Sequence, residues 1–307
     1  MTIRPRHRAL AASGVAVLAL TACTDGGDDA QPGEAVDQFT HLHGVEAPAW
    51  AEGTVYLATH QGLLALEDDE WTRVSEKPHD FMGFSANPDT PETLYSSGHP
   101  APDSDLPNPL GFMTSTDGGA TWQETSLLGE VDFHAMDVGA GGDSAYGYNS
   151  SGKAGLYASF DQGTTWEVTD TFTDTGGAYS LAAHPTDPDT VWAGTPEGLH
   201  MSTDQGTTWT QTYTGAPVTA VALDPAGERL WAYAAGEAGL ITSTDQGATW
   251  EETGWALDDD EDAVGYLAVD PTDADVLWAG TRKADVYRSG DAGTTWETKA
   301  SAGTVNN

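Results

Sequence analysis

Short runs of apolar, aromatic and small residues recur along the chain, separated by Gly, Pro, Asp and Asn and with almost no 3.6-residue periodicity. This pattern predicts strands rather than helices. The clearest set falls at residues 55–58 (VYLA), 94–97 (LYSS), 145–148 (AYGY), 191–194 (VWAG), 230–233 (LWAY) and 277–280 (LWAG). Earlier strands precede them, reading HLHGV at 41–45, DFMGF at 80–84, DFHAM at 132–136 and GAYSL at 177–181.

The strands belong to a repeat. The pattern S-x-D-x-G-x-T-W occurs five times, with Asp117, Asp161, Asp204, Asp245 and Asp291 spaced by 44, 43, 41 and 46 residues and each followed by a tryptophan (Trp122, Trp166, Trp209, Trp250, Trp296). A degenerate copy comes first, running from Gly62-Leu63 through Glu67-Asp68-Asp69 to Trp71 without the Ser, Gly or Thr. Its step to Trp122 is 51, stretched by an insertion at residues 99–111. Four short strands per roughly 43 residues is the size of one propeller blade. The expected fold is an all-β propeller of six blades over residues 40–300, with seven if the preceding segment supplies more structure, and a tail at 301–307.

These repeats resemble the Asp-box (BNR) motifs of sialidases, sortilin-type receptors and photosystem-assembly propellers. The resemblance covers nearly all of residues 40–300 and implies that each box is a hairpin staple between the third and fourth strands of its blade. The Asp carboxylate would accept turn N–H groups, the Gly would supply a positive φ, and the Trp would fill the gap between blades. Such a motif predicts the propeller and not its chemistry. Sialidases of that family grip a substrate carboxylate with three arginines, one from an Arg-Ile-Pro segment. Beyond residue 23 this chain has Arg73, Arg229, Arg282 and Arg288 and no such segment. A glycoside hydrolase working through two carboxylates remains an alternative expectation.

At the N-terminus Arg4, Arg6 and Arg8 precede an apolar stretch at 9–20 and then Leu20-Thr21-Ala22-Cys23. The stretch is too short for a membrane span, and the pattern is that of a secretory signal. LTAC resembles a bacterial lipobox, which implies removal of residues 1–22, lipidation of Cys23, and residence on the outer face of the cell membrane by the lipid anchor alone. Residues 23–39 read as an acidic, Gly-containing tether. Cys23 is the single cysteine, so neither an internal disulfide nor a thiolate zinc site is available.

The charge removes one class of partner. With 48 Asp plus Glu against 11 Lys plus Arg, a formal net charge of -37, the chain has no means of neutralising the phosphates of nucleic acid.

Candidate chemistry lies in the histidines. Aligning the first strands makes His43, Met82 and His134 equivalent, with His41, Asp80 and Asp132 two residues earlier on the same strand face. Aligning the second strands makes His60 and His99 equivalent, just past the strand. In an antiparallel blade these positions meet at one end of the channel, opposite the Asp boxes. Imidazoles with a thioether suit copper, and imidazoles with carboxylates suit zinc, iron or nickel. The competing expectation is a wet polar channel lining. His184 and His200 fall elsewhere and read as structural. The acidic run at 258–262 reads as a solvated loop. The expected function is therefore binding of a small ligand or a transition metal, copper or else zinc. The alternatives are a glycoside hydrolase and a platform for a cell-surface protein or glycan.

Overall fold

The computed structural model describes residues 31–258 and 262–306. Cys23 and the signal segment lie outside the described residues. Six antiparallel sheets, each formed by consecutive strands, surround one channel. Blade one is β1 (Leu42–Glu46), β2 (Val55–Thr59), β3 (Gly62–Glu67) and β4 (Glu70–Arg73). Blade two is β5 (Asp80–Ala86), β6 (Leu94–His99), β7 (Phe112–Ser115) and β8 (Gln123–Ser126). Blade three is β9 (Phe133–Gly139), β10 (Ser144–Asn149), β11 (Gly155–Ser159) and β12 (Glu167–Thr169). Blade four is β13 (Ser180–Ala183), β14 (Val191–Thr195), β15 (Gly198–Ser202) and β16 (Thr210–Thr214). Blade five is β17 (Val218–Leu223), β18 (Leu230–Ala234), β19 (Gly239–Ser243) and β20 (Glu251–Glu252). Blade six is β21 (Val264–Val269), β22 (Leu277–Thr281), β23 (Val286–Ser289), β24 (Glu297–Ser301) and β25 (Thr304–Val305).

The first strand of each blade lines the channel. The second is sandwiched between neighbouring blades, and β2, β14, β18 and β22 are buried at every residue. Burial on both faces explains why these strands read as unbroken apolar and small runs instead of alternating. Their largest members, Trp192 and Trp231, are 1% and 0% exposed.

The Asp boxes are hairpin staples. In all five the Thr N–H donates to one Asp oxygen at 2.8–2.9 Å and the Thr hydroxyl to the other at 2.6–2.7 Å. The Ser hydroxyl donates to the same carboxylate at 2.8–2.9 Å and accepts the Gly N–H at 2.9–3.0 Å. Gly163, at φ +75, is needed twice, for its left-handed backbone and because a Cβ there would strike the ring of Phe112 in the preceding blade. The tryptophans join blades as expected. Trp166 Nε1 donates to Ser126 Oγ of blade two, and Trp250 Nε1 to Thr212 O of blade four. In blade one a two-residue turn with positive φ at Asp68 and Asp69 replaces the box, which is why that copy dispenses with Ser, Gly and Thr.

Two boundaries differ from expectation. Residues 31–39 are not free tether. Val36 and Phe39 are 6% and 3% exposed in the core shared by blades one and six, Ala35 bridges Thr72, and Gln38 bridges Thr304. The C-terminal residues are not a loose tail either, because Thr304–Val305 forms a hairpin with β24 and Val305 N–H donates to Asp37 O. The physical reason is ring closure. Every blade is made from contiguous chain, so the junction of blades six and one is sealed by apolar residues and strand bridges drawn from both ends.

Candidate functional site

Each first strand begins, and each second strand ends, at the same rim of the channel. The pairing slips near that start. His43 is passed over between the pairs Leu42↔Thr59 and Gly44↔Ala58, His134 between Phe133↔Asn149 and Ala135↔Tyr148, and Thr219 and Gly265 likewise in β17 and β21. The slip in β5 is wider and contains Met82 and Gly83. A bulge residue is freed from the ladder and re-aimed. Here the freed position displays an imidazole in blades one and three, and His41, His60 and His99 complete the rim beside them.

Two carboxylates organise those imidazoles. Asp80 Oδ2 lies 2.7 Å from His60 Nδ1, while its Oδ1 lies 3.6 Å from His43 Nε2, beyond hydrogen-bond reach. Asp132 Oδ2 lies 2.9 Å from His134 Nε2 and 3.3 Å from His99 Nε2. His99 Nδ1 is in turn 2.6 Å from Asn108 Oδ1, supplied by the insertion in blade two. That insertion is pinned down by Lys77–Asp103 at 2.9 Å and by the Ala101 N–H donating to His79 Nδ1 at 2.9 Å.

His41, His43 and His60 each present a nitrogen within 4.8 Å of the others. Their rings are 4.6–6.4 Å apart. His43 is kept neutral, its pKa lowered to about 3 by burial and then by the neighbouring histidines His60, His134 and His41. His134 is shifted the other way, because its hydrogen bond to Asp132 favours the imidazolium. Burial works against the Asp132 carboxylate, but His134, His99 and His43 together hold its pKa below the ordinary value. Among the described residues His43 Nε2, Asp80 Oδ1 and Asp132 Oδ1 are buried without a hydrogen-bond partner. Leaving such atoms unpaired costs about 1–3 kcal/mol each, so this rim favours whatever can occupy it.

The structure gathers most of the residues expected here. It unites His41, His43, His60 and Asp80 in one group and His99, His134 and Asp132 in a second beside it. Met82 keeps its register position, but it is 5% exposed and is not among the residues lining the channel. The wider bulge of β5 gives it a different setting from His43 and His134. His184 is structural as expected, with Nδ1 accepting the Asp187 N–H at 3.0 Å and the ring stacked against Trp192.

The sequence reading missed Glu46 and Asp137, which line the channel below the histidines. Burial pushes Glu46 well above the carboxylate range, helped by Asp137, and pushes Asp137 to about 6. Asp137 also ties three blades, accepting from Ser85 Oγ at 2.7 Å and from the Val138 and Ala183 N–H groups at 2.8 Å. Acidic residues within otherwise apolar first strands were the available signal.

The BNR/Asp-box repeat profile matches residues 113–124, the hairpin of blade two. The chain is thus a six-bladed β-propeller carrying BNR/Asp-box repeats. No curated protein matches it by sequence. Among solved structures it is similar to the GH74 enzyme of Niastella koreensis, with 17% identity, TM-score 0.61, and coverage of 89% of this chain and 46% of that one. A GH74 xyloglucanase from Xanthomonas campestris gives 18%, 0.60, 87% and 47%. A chain of a nidogen/laminin complex gives 10%, 0.53, 68% and 78%. The chain spans about half the length of the GH74 structures, and identity this low establishes the fold alone.

Proposed function

We propose that this propeller is a lipid-anchored, extracytoplasmic protein that binds one transition metal ion at the histidine rim of its channel. The observation that carries the reading is the trio His41, His43 and His60, with nitrogens within 4.8 Å of one another and His43 Nε2 buried without a partner. Three imidazoles leave a fourth tetrahedral position open, the arrangement of an exchangeable rather than a purely structural site. Asp80 supports it by fixing the ring of His60 through Nδ1, as a carboxylate behind a metal-bound histidine does. The three donors of the trio are all imidazole nitrogens, which favours Zn(II) or Cu(II) over Cu(I).

A glycoside hydrolase is less well supported, despite the GH74 likeness. The channel cavity holds about 200 Å³, below the roughly 300–1,000 Å³ of ordinary ligand pockets, and Asp137 is occupied as a strut between blades. Calorimetric titration of the mature protein with Zn(II) and Cu(II) tests the metal reading, with near-stoichiometric uptake expected and no binding at micromolar metal overturning it. The anchor rests on the LTAC sequence. Cys23→Ser should abolish lipid labelling and membrane retention, and unchanged retention would refute it.

A further inference from the structure

The register that placed His60 and His99 at the rim assigns one residue of every blade to the same position. Counting from the start of the apolar runs at 55, 94, 145, 191, 230 and 277, the sixth residues are His60, His99, Ser150, Pro196, Ala235 and Arg282. Arg282 is therefore the counterpart of His60 in blade six, which adjoins blade one across the ring closure. Its guanidinium carbon lies 5.7 Å from the ring of Tyr179, the residue before β13 in blade four. Blades four and six are not neighbours, so this contact passes over blade five, whose rim residues Thr219 and Ala235 are short. Arg282 and Tyr179 thus form a strap across one half of the mouth, opposite the imidazoles of the other half.

Two features show that the strap is not self-sufficient. Tyr179 is 40% exposed, one of two large hydrophobic residues left so open among those described. Arg282 makes no ion pair among the described residues, in a chain with 48 acidic side chains. Three other cations are claimed, Arg229 by Asp275, Lys77 by Asp103, and Lys299 by Asp69 and Glu297, whereas Lys153 and Arg288 share the lack of an ion pair among the described residues. The acids of the rim pair elsewhere, Asp80 and Asp132 with histidines through Oδ2 and Asp262 through Oδ1 with the Ala263 and Lys283 N–H groups.

We propose that the mouth captures a small carboxylate ligand between a metal ion on His41, His43 and His60 and the Arg282 guanidinium, with Tyr179 as platform for its apolar part. The proposal rests on the metal reading and names the ligand class for that site. One open metal position and one guanidinium offer attachment at two points, which suits the flat fork of a carboxylate. An aromatic face beside them suits an aromatic or aliphatic body. The net charge of -37 does not forbid this, because fields beyond about 8 Å are screened at physiological salt, and the local balance of metal and arginine is positive.

The test is titration of benzoate, with benzamide as the neutral control, into zinc-loaded protein. Benzoate should bind and benzamide should not. Arg282→Ala should weaken benzoate by about tenfold or more while zinc affinity, measured separately, stays within about twofold. Tyr179→Ala should weaken benzoate by a smaller factor. Equal benzoate affinity in wild type and Arg282→Ala would overturn the proposal even if zinc binds. If zinc does not bind, the metal reading fails by itself, and benzoate is then titrated into metal-free protein. Binding that depends on Arg282 there would support the anion arm, and its absence would overturn it.

Discussion

Blades one to three and blades four to six share one backbone plan and carry different chemistry on it. Both halves have the buried second strand and a hairpin between the third and fourth strands, and every first strand except β13 bulges near its start. At the bulge the first half places His43, Met82 and His134, and the second Thr219 and Gly265, while in blade four Tyr179 precedes a first strand of regular register. At the rim end of the second strand the first half places His60, His99 and Ser150, and the second Pro196, Ala235 and Arg282. The bulge is a property of the backbone register, so the side chain it displays is free to vary at small cost to the fold. In such a repeat, scaffold and function separate by position within the blade more than by location along the chain.

The strongest way to break that comparison is to remove a displayed side chain. His43→Ala should lower zinc or copper affinity by at least about 100-fold, since a metal ligand is lost, and should change thermal stability little. His184→Ala, at the other end of a first strand, should leave affinity unchanged. Equal effects of the two would mean that the histidine rim is only a polar lining. A milder probe is Asp80→Asn, which keeps all three imidazoles but weakens the orientation of His60. Affinity should fall by about 10–100-fold, as read by calorimetry.

The fold was legible because repetition amplifies a weak signal. Five copies of the box fixed the blade length, and the second strands announced themselves through burial on both faces. The structure extends each of those strands by one or two residues. The histidine set was legible for the same reason, because equivalent positions in successive blades must meet at one rim. What escaped was whatever is not repeated. The docking of residues 31–39 depends on Val36 and Phe39 finding a seam that exists only once the ring closes. Met82 matched in register, yet the extra residue in the β5 bulge altered its setting. Glu46 and Asp137 were passed over because two acids among 48 carry no signal until the channel is seen to enclose them.

The channel carboxyls give a pH-dependent contrast with the exposed acids. The folded-state pKa of Asp137, about 6, lies above its ordinary 3.8, and that of Glu46 is raised as well. The folded chain therefore holds protons that the unfolded chain has released, and stability falls as pH climbs from about 4 through 6. Glu46→Gln removes one such group. The variant should match wild type at pH values below the ordinary carboxylate range and increasingly exceed it as pH rises above that range, by a few degrees in Tm at pH 7. No difference at pH 7 would show that Glu46 is well solvated in the channel.

The smallest effect is expected from a single Asp box, where the sign is opposite. Asp245 is held at about 2, below its ordinary 3.8, by the Thr249 hydroxyl, the Thr249 N–H and the Ser243 hydroxyl. A depressed carboxyl contributes stability that is present above about pH 4 and lost as pH falls towards 2. Asp245→Asn keeps an oxygen for the Thr249 N–H but cannot also accept from the Thr249 hydroxyl with its amide nitrogen. Tm should drop by on the order of a few degrees at pH 7, and the gap from wild type should close as the pH approaches 2, where the aspartate is itself protonated. Metal affinity should be unchanged at every pH, because the box lies at the far end of the blade from the histidines. A variant that keeps its Tm but loses metal would show that the staples and the rim are coupled through the blade, and the separation of scaffold from site would fail.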